Sequence, residues 1–375
     1  MTHPQLLHTI LHEPRPLSES QQSAITTQSP HVRIIAGAGA GKTETLTRKI
    51  VSLLLVEHVE PASIVAFTFT EKAAANMKSR IYKRVKELGE DALCARLGEM
   101  YVGTIHGFCF HLLEDQFGHG SWGILDENQQ MAYLMRVGWE LNLTGRSNYT
   151  INCQDFKRSV GVVYNEMLSR DEVKKRSPDF YYSLTKYEAC LDEHHRLTFD
   201  RMIALTVENL RKRPVVGDLI QYLIVDEYQD INRAQQELIE ILGRKSSLFV
   251  VGDPRQTIYQ WRGSDEHCFE EFVEYYQQSE TISIPENRRS VQTIVQAANY
   301  FSETFEKCRY SPMVYSRSEQ GKAHLVEFPD KRSEAVFIAD EISRLVSSGR
   351  CSYGDIGILL RSVNTSGEPF IDVFR

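Results

Sequence analysis

Short runs of β-favouring residues, most of them apolar, alternate along this chain with segments whose apolar residues recur at helical spacing. Such runs are Val32–Ile35, Ile64–Thr70, Tyr222–Val225 and Leu248–Val251. After the first run, apolar residues repeat with the period of one helix face, at Leu46, Ile50, Leu53 and Leu54. Strands that alternate with helices predict a parallel β-sheet covered by helices, so the expected fold class is α/β.

Strand signals become rare between residues 118 and 197. Apolar residues there recur at helical spacing, as at Leu134, Val137 and Leu141. We therefore predict an α-helical insertion at 118–197 within a domain built from 17–117 and 198–283. A helix that begins near Phe199 returns the chain to that domain.

The two ends of the chain differ from this pattern. Residues 1–16 are polar and contain three prolines, which predicts a loosely held lead-in. A second α/β unit is expected from residue 284, after a strand at Thr281–Ile284. Its predicted elements are strands at Ala323–Phe328 and Ile356–Leu360, a helix between them at Glu334–Val346, and the start of a helix at Pro369–Arg375. With so few strands, 284–375 is expected to be an incomplete domain.

Composition narrows the possible partners. The chain has 43 basic and 50 acidic residues and a net charge of −7, so any nucleic-acid site must be local. Seven cysteines occur without a Cys-x-x-Cys pair, which argues against a zinc or iron–sulfur site and fits reduced thiols in the cytoplasm. No signal peptide is evident, and no apolar run approaches the roughly eighteen residues of a membrane span.

The turn after the first strand carries the clearest chemistry. It consists of Ala36, Gly37, Ala38, Gly39, Ala40, Gly41, Lys42 and Thr43. Glycines let backbone N–H groups turn toward an anion, a lysine reaches the outer phosphates, and a threonine hydroxyl can hold Mg²⁺. The strict pattern has glycine where Ala36 stands, and the alternative is a plain Gly/Ala-rich turn. The spacing of the last three residues favours a site for a nucleoside triphosphate.

An acidic pair, Asp226 and Glu227, follows the buried run Tyr222–Val225. Carboxylates at a strand tip suit Mg²⁺ coordination by the first and water positioning or proton acceptance by the second. The alternative is ordinary loop charge. A phosphate loop upstream favours the catalytic interpretation.

Three further candidates are less specific. Gln21 could pair with an adenine edge from a short helix capped by Ser18 or Ser20, although a surface glutamine is the default. His106 is either a ligand or, more commonly, a hydrogen-bonded structural histidine. After the run Leu248–Val251 comes Gln256, a candidate polar sensor. It is followed by two aromatic residues, Tyr259 and Trp261, and by Arg262. Aromatic rings beside a positive charge suit single-stranded nucleic acid, and the alternative is that both rings belong to the core.

In their order from Leu17 to the end of the chain, these segments resemble the UvrD/Rep/PcrA family of superfamily-one DNA helicases. The phosphate loop of that family also begins with alanine, as at Ala36. The resemblance places Gln21 on the adenine and Arg289, in Asn287–Ser290, on the γ-phosphate. It places two segments on single-stranded DNA, through Phe69, Thr70, Thr104 and His106. The segment Gly252–Gly263 matches the one that couples the γ-phosphate to DNA.

This resemblance implies a P-loop NTPase of RecA-like fold with part of a second RecA-like domain. It implies an ATP-dependent helicase or translocase that uses Mg²⁺ and moves 3′-to-5′ on single-stranded DNA, with 3′-tailed duplex as a further partner. Gln256 would join Arg289 on the γ-phosphate. Tyr259, Trp261 and Arg262 would hold DNA beside Phe69.

Departures from the family qualify this expectation. Arg288 replaces the aromatic residue that stacks on adenine, and a guanidinium can stack in its place. Glu44 stands where some relatives have arginine. The later motifs of the family, Thr-x-His-x-x-Lys-Gly-Leu-Glu and Ala-x-Thr-Arg-Ala, do not occur. We therefore expect a truncated motor that binds ATP, hydrolyses it poorly and does not unwind duplex.

Two other hypotheses stay open. One is a non-catalytic fragment or split subunit, which acts with a protein that supplies the absent motifs. The other is the motor part of a helicase–nuclease complex for recombination or phage defence.

Overall fold

A parallel β-sheet lies at the centre of the first of two units, Met1–Gln320 and Gly321–Arg375. The computed structural model describes residues 3–144, 148–257, 266–305 and 310–375. The strands are β1 (His31–Ala36), β2 (Ile64–Phe67), β3 (Tyr101–Gly103), β4 (Gly123–Leu125), β5 (Arg196–Thr198), β6 (Tyr222–Val225), β7 (Ser247–Gly252), β8 (Glu280–Ile284), β9 (Glu286–Val291) and β10 (Val314–Arg317).

Helices occupy most of the remaining described chain. They are α1 (His3–His12), α2 (Glu19–Thr26), α3 (Lys42–Leu55), α4 (Glu71–Glu87), α5 (Asp91–Arg96), α6 (Ile105–Phe117), α7 (Glu127–Val137), α8 (Tyr149–Asn165), α9 (Arg170–Arg176), α10 (Pro178–Glu193), α11 (Phe199–Lys212), α12 (Arg233–Leu242), α13 (Glu266–Tyr275), α14 (Gln292–Ser302), α15 (Lys331–Ser347), α16 (Val363–Ser366) and α17 (Glu368–Phe374). No helix in the described part of the chain is long and apolar enough to cross a membrane.

The central sheet confirms the predicted α/β class. Among the described residues, six strands pair in parallel in the order β3–β2–β6–β7–β1–β8. Successive side chains of a strand point to opposite faces, and here Val65 and Leu223 lie in one hydrophobic core while Ala66 and Ile224 lie in the other. Both faces are therefore covered at β2 and β6, which explains why these two strands are apolar along their length. Because the strands are parallel, the turns that follow them meet at one edge of the sheet.

The inserted segment has its own core, which includes Leu134, Val160 and Tyr187. Its helices are α7, α8, α9 and α10, as the spacing predicts. The prediction missed a parallel pair of short strands, β4 and β5, which bring the two ends of the segment together. Three residues per strand are too few for a reliable period-two signal.

The prediction of a loosely held lead-in at residues 1–16 is wrong. Residues 3–12 form α1, whose Ile10 and Leu11 are buried. The buried guanidinium of Arg48 donates to the carbonyl oxygens of Ile10 at 2.8 Å, Leu11 at 3.1 Å and Arg15 at 3.0 Å. Two of these bonds satisfy carbonyl groups in the last turn of α1, which a helix leaves without internal partners, and the third holds the segment that follows the helix.

The region expected to form a second α/β unit also differs from the prediction. Thr281–Ile284 does form a strand, within β8, and this strand pairs with β1 in the central sheet. The division into two units comes after Gln320 rather than near residue 284. The strands β9 and β10 make a separate parallel pair within the first unit.

Two predicted strands are not formed in Gly321–Arg375, which the structure describes throughout. Residues 323–328 and 356–360 have no strand assignment, and Leu325 and Leu359 are almost fully exposed. A β-favouring sequence becomes a strand only when a neighbouring strand accepts and donates its backbone hydrogen bonds. The helices predicted here are present as α15 and α17.

Candidate nucleotide site and adjoining cavity

The phosphate loop fills the turn between β1 and α3, at the carboxyl edge of the sheet. Gly39 and Gly41 have φ values of +71° and +81°, which glycine adopts without strain. Gly41 is the N-cap of α3, so Lys42 and Thr43 are the first two residues of the helix. The loop therefore offers backbone N–H groups and the positive end of a helix dipole to an anion.

Gln21 lies against this loop and is 2% exposed. Its Nε2 donates to the carbonyl oxygen of Ala40 at 3.1 Å and to Oγ1 of Thr45 at 3.3 Å. Its Oε1 accepts from the backbone N–H of Ser18 at 3.0 Å, and Ser18 caps α2 as predicted. The default of a surface glutamine is therefore wrong, because this side chain buttresses the phosphate loop.

The acidic pair stands at the end of β6, beside the loop. Nζ of Lys42 lies 2.6 Å from Oε2 of Glu227. The backbone N–H of Glu227 donates to Oδ1 of Asp226 at 3.0 Å. Burial raises the pKa of Asp226 well above its ordinary range, and the neighbouring Glu227 carboxylate raises it further. A cation bound close to Asp226 would stabilise the ionised form of this carboxyl group.

The donor chemistry at this position fits Mg²⁺. Thr43 contributes a hydroxyl and Asp226 a carboxylate, and Mg²⁺ usually takes one or two protein oxygens together with phosphate and water. Among the described residues no group of three or more His, Cys, Asp or Glu side chains could hold a metal ion by itself. Such a site therefore depends on nucleotide phosphates to complete the coordination.

A second carboxylate network lies at the end of the adjacent strand, β7. Asp253 is 2% exposed and accepts a hydrogen bond at 2.8 Å from Nε2 of Gln256. Its other oxygen accepts from Nε of Arg255 at 2.8 Å. Gln256, the predicted γ-phosphate sensor, is therefore fixed by a buried carboxylate in this structure.

The strand β9 approaches the phosphate loop from the other side. The backbone N–H of Arg288 donates to the carbonyl oxygen of Gly39 at 3.0 Å. Buried Asn287 accepts from the backbone N–H of Arg289 at 2.9 Å. The Arg289 side chain is exposed beside the loop, while the Arg288 guanidinium donates to the carbonyl oxygen of Pro16 at 3.1 Å. Both arginines thus lie next to the candidate phosphate site.

A cavity of about 530 Å³ adjoins the acidic pair. Its lining includes four residues predicted for DNA contact and two predicted for hydrolysis, namely Phe69, Thr70, Thr104, His106, Asp226 and Glu227. Lys42, Gln256 and Arg289 do not line it. Phe69 is 41% exposed. The predicted strand Ile64–Thr70 ends at Phe67, because Thr70 caps α4 through its side chain.

Two of these residues have local structural duties as well. Thr104 caps α6 and donates to Oε1 of Glu71 at 2.7 Å. The ring of His106 packs edge-on against Phe199, with 5.5 Å between centroids. The predicted DNA residues Tyr259, Trp261 and Arg262 lie outside the described residues.

Sequence reasoning gave no role to several residues of this site, although two of them lie in segments that carry the family resemblance. Gln229, Asp253 and Asn287 are all buried and bonded to predicted site residues. Polar residues next to a strand tip are the available signal, but only burial separates them from loop residues. Phe199 and Asn165, which line the cavity far from the motifs in sequence, carry no local signal.

Comparison with known proteins bears on the family of this chain independently of the site geometry. A model described as the UvrD/REP helicase N-terminal domain matches residues 17–277. The chain is 31% identical over 359 residues to the ATP-dependent DNA helicase PcrA of Staphylococcus aureus, covering 92% of this chain and 47% of that protein. The ATP-dependent DNA helicase PcrA of Staphylococcus epidermidis is also 31% identical, covering 92% of this chain and 48% of its own length.

The chain therefore spans about half the length of the curated relatives it matches. The family match runs across the phosphate loop, the helical insertion and the acidic pair alike. Because it extends over more than half of these 375 residues, the chain belongs to the UvrD/Rep helicase family.

Proposed function

We propose that this chain is the ATP-binding motor portion of a DNA helicase that moves 3′-to-5′ along single-stranded DNA. The observation that carries the proposal is the cavity of about 530 Å³, whose lining includes both Asp226 and Glu227 and the DNA candidates Phe69, Thr104 and His106. A change in the position of the acidic pair on hydrolysis would act directly on DNA held at this cavity.

Each role follows from position and chemistry. The loop N–H groups and Lys42 would hold the phosphates of ATP, while Thr43 and Asp226 would hold Mg²⁺. When bound, Mg²⁺ neutralises charge on the phosphates. Glu227 would orient the attacking water and accept its proton. Gln256 and Arg289 would contact the γ-phosphate.

The 2.6 Å ion pair between Lys42 and Glu227 has a consequence for this cycle. Binding of phosphate would draw Lys42 away, because a lysine at this position of a phosphate loop reaches the β- and γ-phosphates. Glu227 would then be released to act on water. ATP binding would thus make the Glu227 carboxylate available for hydrolysis.

Equilibrium ATP affinity by fluorescence, together with steady-state ATPase activity of residues 1–375 with and without single-stranded DNA, tests the proposal. Lys42→Ala should lower ATP affinity by roughly 10- to 100-fold, because it removes a charged contact. Lys83→Ala, an exposed lysine on α4, is the matched control and should change nothing. ATP affinity equal in Lys42→Ala and Lys83→Ala would overturn the assignment of the loop.

We propose that residues 1–375 alone hydrolyse ATP slowly. Phosphoryl transfer commonly depends on an arginine worth about 10³- to 10⁵-fold in rate, and the family resemblance places one such arginine in motifs that this sequence lacks. Strong DNA-stimulated hydrolysis abolished by Lys42→Ala would contradict this part. For DNA polarity, fluorescence anisotropy should show tighter binding to a 3′-tailed than to a 5′-tailed duplex, and equal binding would contradict the direction.

A further inference from the structure

Gln229 lies between the acidic pair and the neighbouring strand tip and is 1% exposed. Its Nε2 donates to Oε2 of Glu227 at 3.0 Å and to Oδ2 of Asp230 at 3.1 Å. Its Oε1 accepts from the backbone N–H of Asp253 at 3.0 Å. Both ends of the amide are therefore used, and they join two different elements of the site.

The side-chain amide of Gln229 is tightly packed against Gly252. A Cβ atom placed on Gly252 would lie 2.5 Å from Oε1 of Gln229, so the strand tip approaches the amide as closely as a glycine allows. Because Gly252 approaches so closely, the Gln229 side chain has no room for a second conformation. The amide is thus a rigid support for the groups to which it donates.

Glu227 needs such a support. Its backbone has a φ of +51°, which a non-glycine residue holds only where its surroundings impose it. In this structure Oε2 of Glu227 accepts from both Lys42 at 2.6 Å and Gln229 at 3.0 Å. Once Lys42 turns to the phosphates of ATP, Gln229 is the remaining donor among these two.

The other end of the amide leads to the predicted γ-phosphate sensor. Asp253, whose N–H donates to Gln229, binds Gln256 through its own carboxylate at 2.8 Å. A continuous set of hydrogen bonds therefore joins Glu227 to Gln256. Both ends of this set are placed at the γ-phosphate by the proposed function.

We propose that Gln229 is a positioning residue, which holds the Glu227 carboxylate in its hydrolytic position after ATP has drawn Lys42 away and keeps it in register with Gln256. The inference rests on the proposed role of Glu227 as the residue that orients water. It requires that loss of Gln229 slow hydrolysis of bound ATP without weakening ATP binding.

Two substitutions separate the two ends of the amide. Gln229→Ala removes both. Gln229→Glu keeps an oxygen to accept from the Asp253 N–H, but it removes the donor to Glu227 and adds a carboxylate beside two others. Gln130→Ala is the matched control, because Gln130 is also buried but lies in the helical insertion, where its Nε2 donates to Tyr187.

The measurement is single-turnover hydrolysis, with protein in excess over labelled ATP, together with equilibrium ATP affinity by fluorescence. Gln229→Ala and Gln229→Glu should each slow hydrolysis by about 10- to 100-fold, the usual effect of losing a residue that orients a catalytic group. ATP affinity should stay within about twofold of the wild type, and Gln130→Ala should match the wild type in both. Wild-type hydrolysis in Gln229→Glu, or parallel loss of affinity and rate in Gln229→Ala, would overturn the proposal.

Because residues 1–375 are expected to hydrolyse ATP slowly, the proposal needs a second measurement that does not depend on hydrolysis. If the wild type does not exceed Glu227→Gln in single turnover, the proposed hydrolytic role fails in residues 1–375, and amide hydrogen exchange with ATP bound decides the positioning role separately. Gln229→Ala should then speed exchange at both Glu227 and Asp253, whereas Gln229→Glu should speed it at Glu227 alone. Unchanged exchange in Gln229→Ala would refute the support that we infer.

Discussion

Gly39→Ala is the sharpest test of how the phosphate loop and β9 fit together. Gly39 has a φ of +71°, and a Cβ atom there would lie 2.6 Å from Oδ1 of Asn287 and 2.8 Å from Cβ of Arg289. Both distances are well inside van der Waals contact. The substitution therefore forces either the loop or the Asn287–Arg289 segment to move.

The expected cost has two parts. An alanine in the left-handed region costs about 1–2 kcal/mol, and inserting a methyl group into a packed contact costs typically 1–3 kcal/mol. Gly89→Ala isolates the first part, because Gly89 has a φ of +79° and, apart from its chain neighbours, no described residue has a heavy atom within 4 Å of the position of its Cβ. We expect a loss of about 2–5 kcal/mol for Gly39→Ala against about 1–2 kcal/mol for Gly89→Ala.

Urea denaturation of the two variants measures this difference in the free energy of unfolding. Nucleotide affinity then shows which side moved. Displacement of Arg289 should weaken ATP more than ADP, by roughly 10- to 100-fold for loss of a charged contact to the γ-phosphate.

Equal destabilisation of Gly39→Ala and Gly89→Ala would mean that the loop and β9 do not pack as the structure shows. Equal losses for ATP and ADP would mean that the phosphate loop moved and that Arg289 kept its position.

Two further predictions concern stability. Arg48→Met should cost about 2–4 kcal/mol and speed amide exchange in α1, because three carbonyl groups lose a charged donor; Arg80→Ala, on the exposed side of Glu44, should cost less than about 1 kcal/mol. Equal effects would restore the idea of a loose lead-in. Burial raises the pKa of Asp230 to about 6, so the folded state favours its protonated form and loses stability as pH rises from about 4 through 6. Asp230→Asn should therefore be more stable than the wild type at pH 7.5, with the gain shrinking as pH falls, and a gain independent of pH in urea midpoints would contradict this reasoning.

Much of the fold could be predicted because its signals are local. A parallel strand covered on both faces must be apolar throughout, so Tyr222–Val225 and Leu248–Val251 were recognisable without their neighbours. The phosphate loop was equally recognisable, since its glycines and Lys42 act within a few residues of one another. Helices such as α11 and α15 follow from their own periodicity.

Features that depend on distant partners have no signal in the local sequence. Residues 323–328 and 356–360 have strand-like sequences, yet they pair with no strand in a segment that is described throughout. Conversely, α1 is held by Arg48, whose buried guanidinium donates to carbonyl oxygens of this helix. Nothing in the sequence around Arg48 indicates that its charge is buried.

The same division runs through the candidate site. The residue types at the strand tips follow directly from the sequence, because their placement depends on short-range order. It is the packing of distant segments that buries Gln21 and Gln229 as supports, pairs Lys42 with Glu227 and raises the pKa of Asp226. The physical reason is that desolvation and hydrogen bonding are set by whatever the rest of the chain brings within a few ångströms, and the sequence near a residue does not specify it.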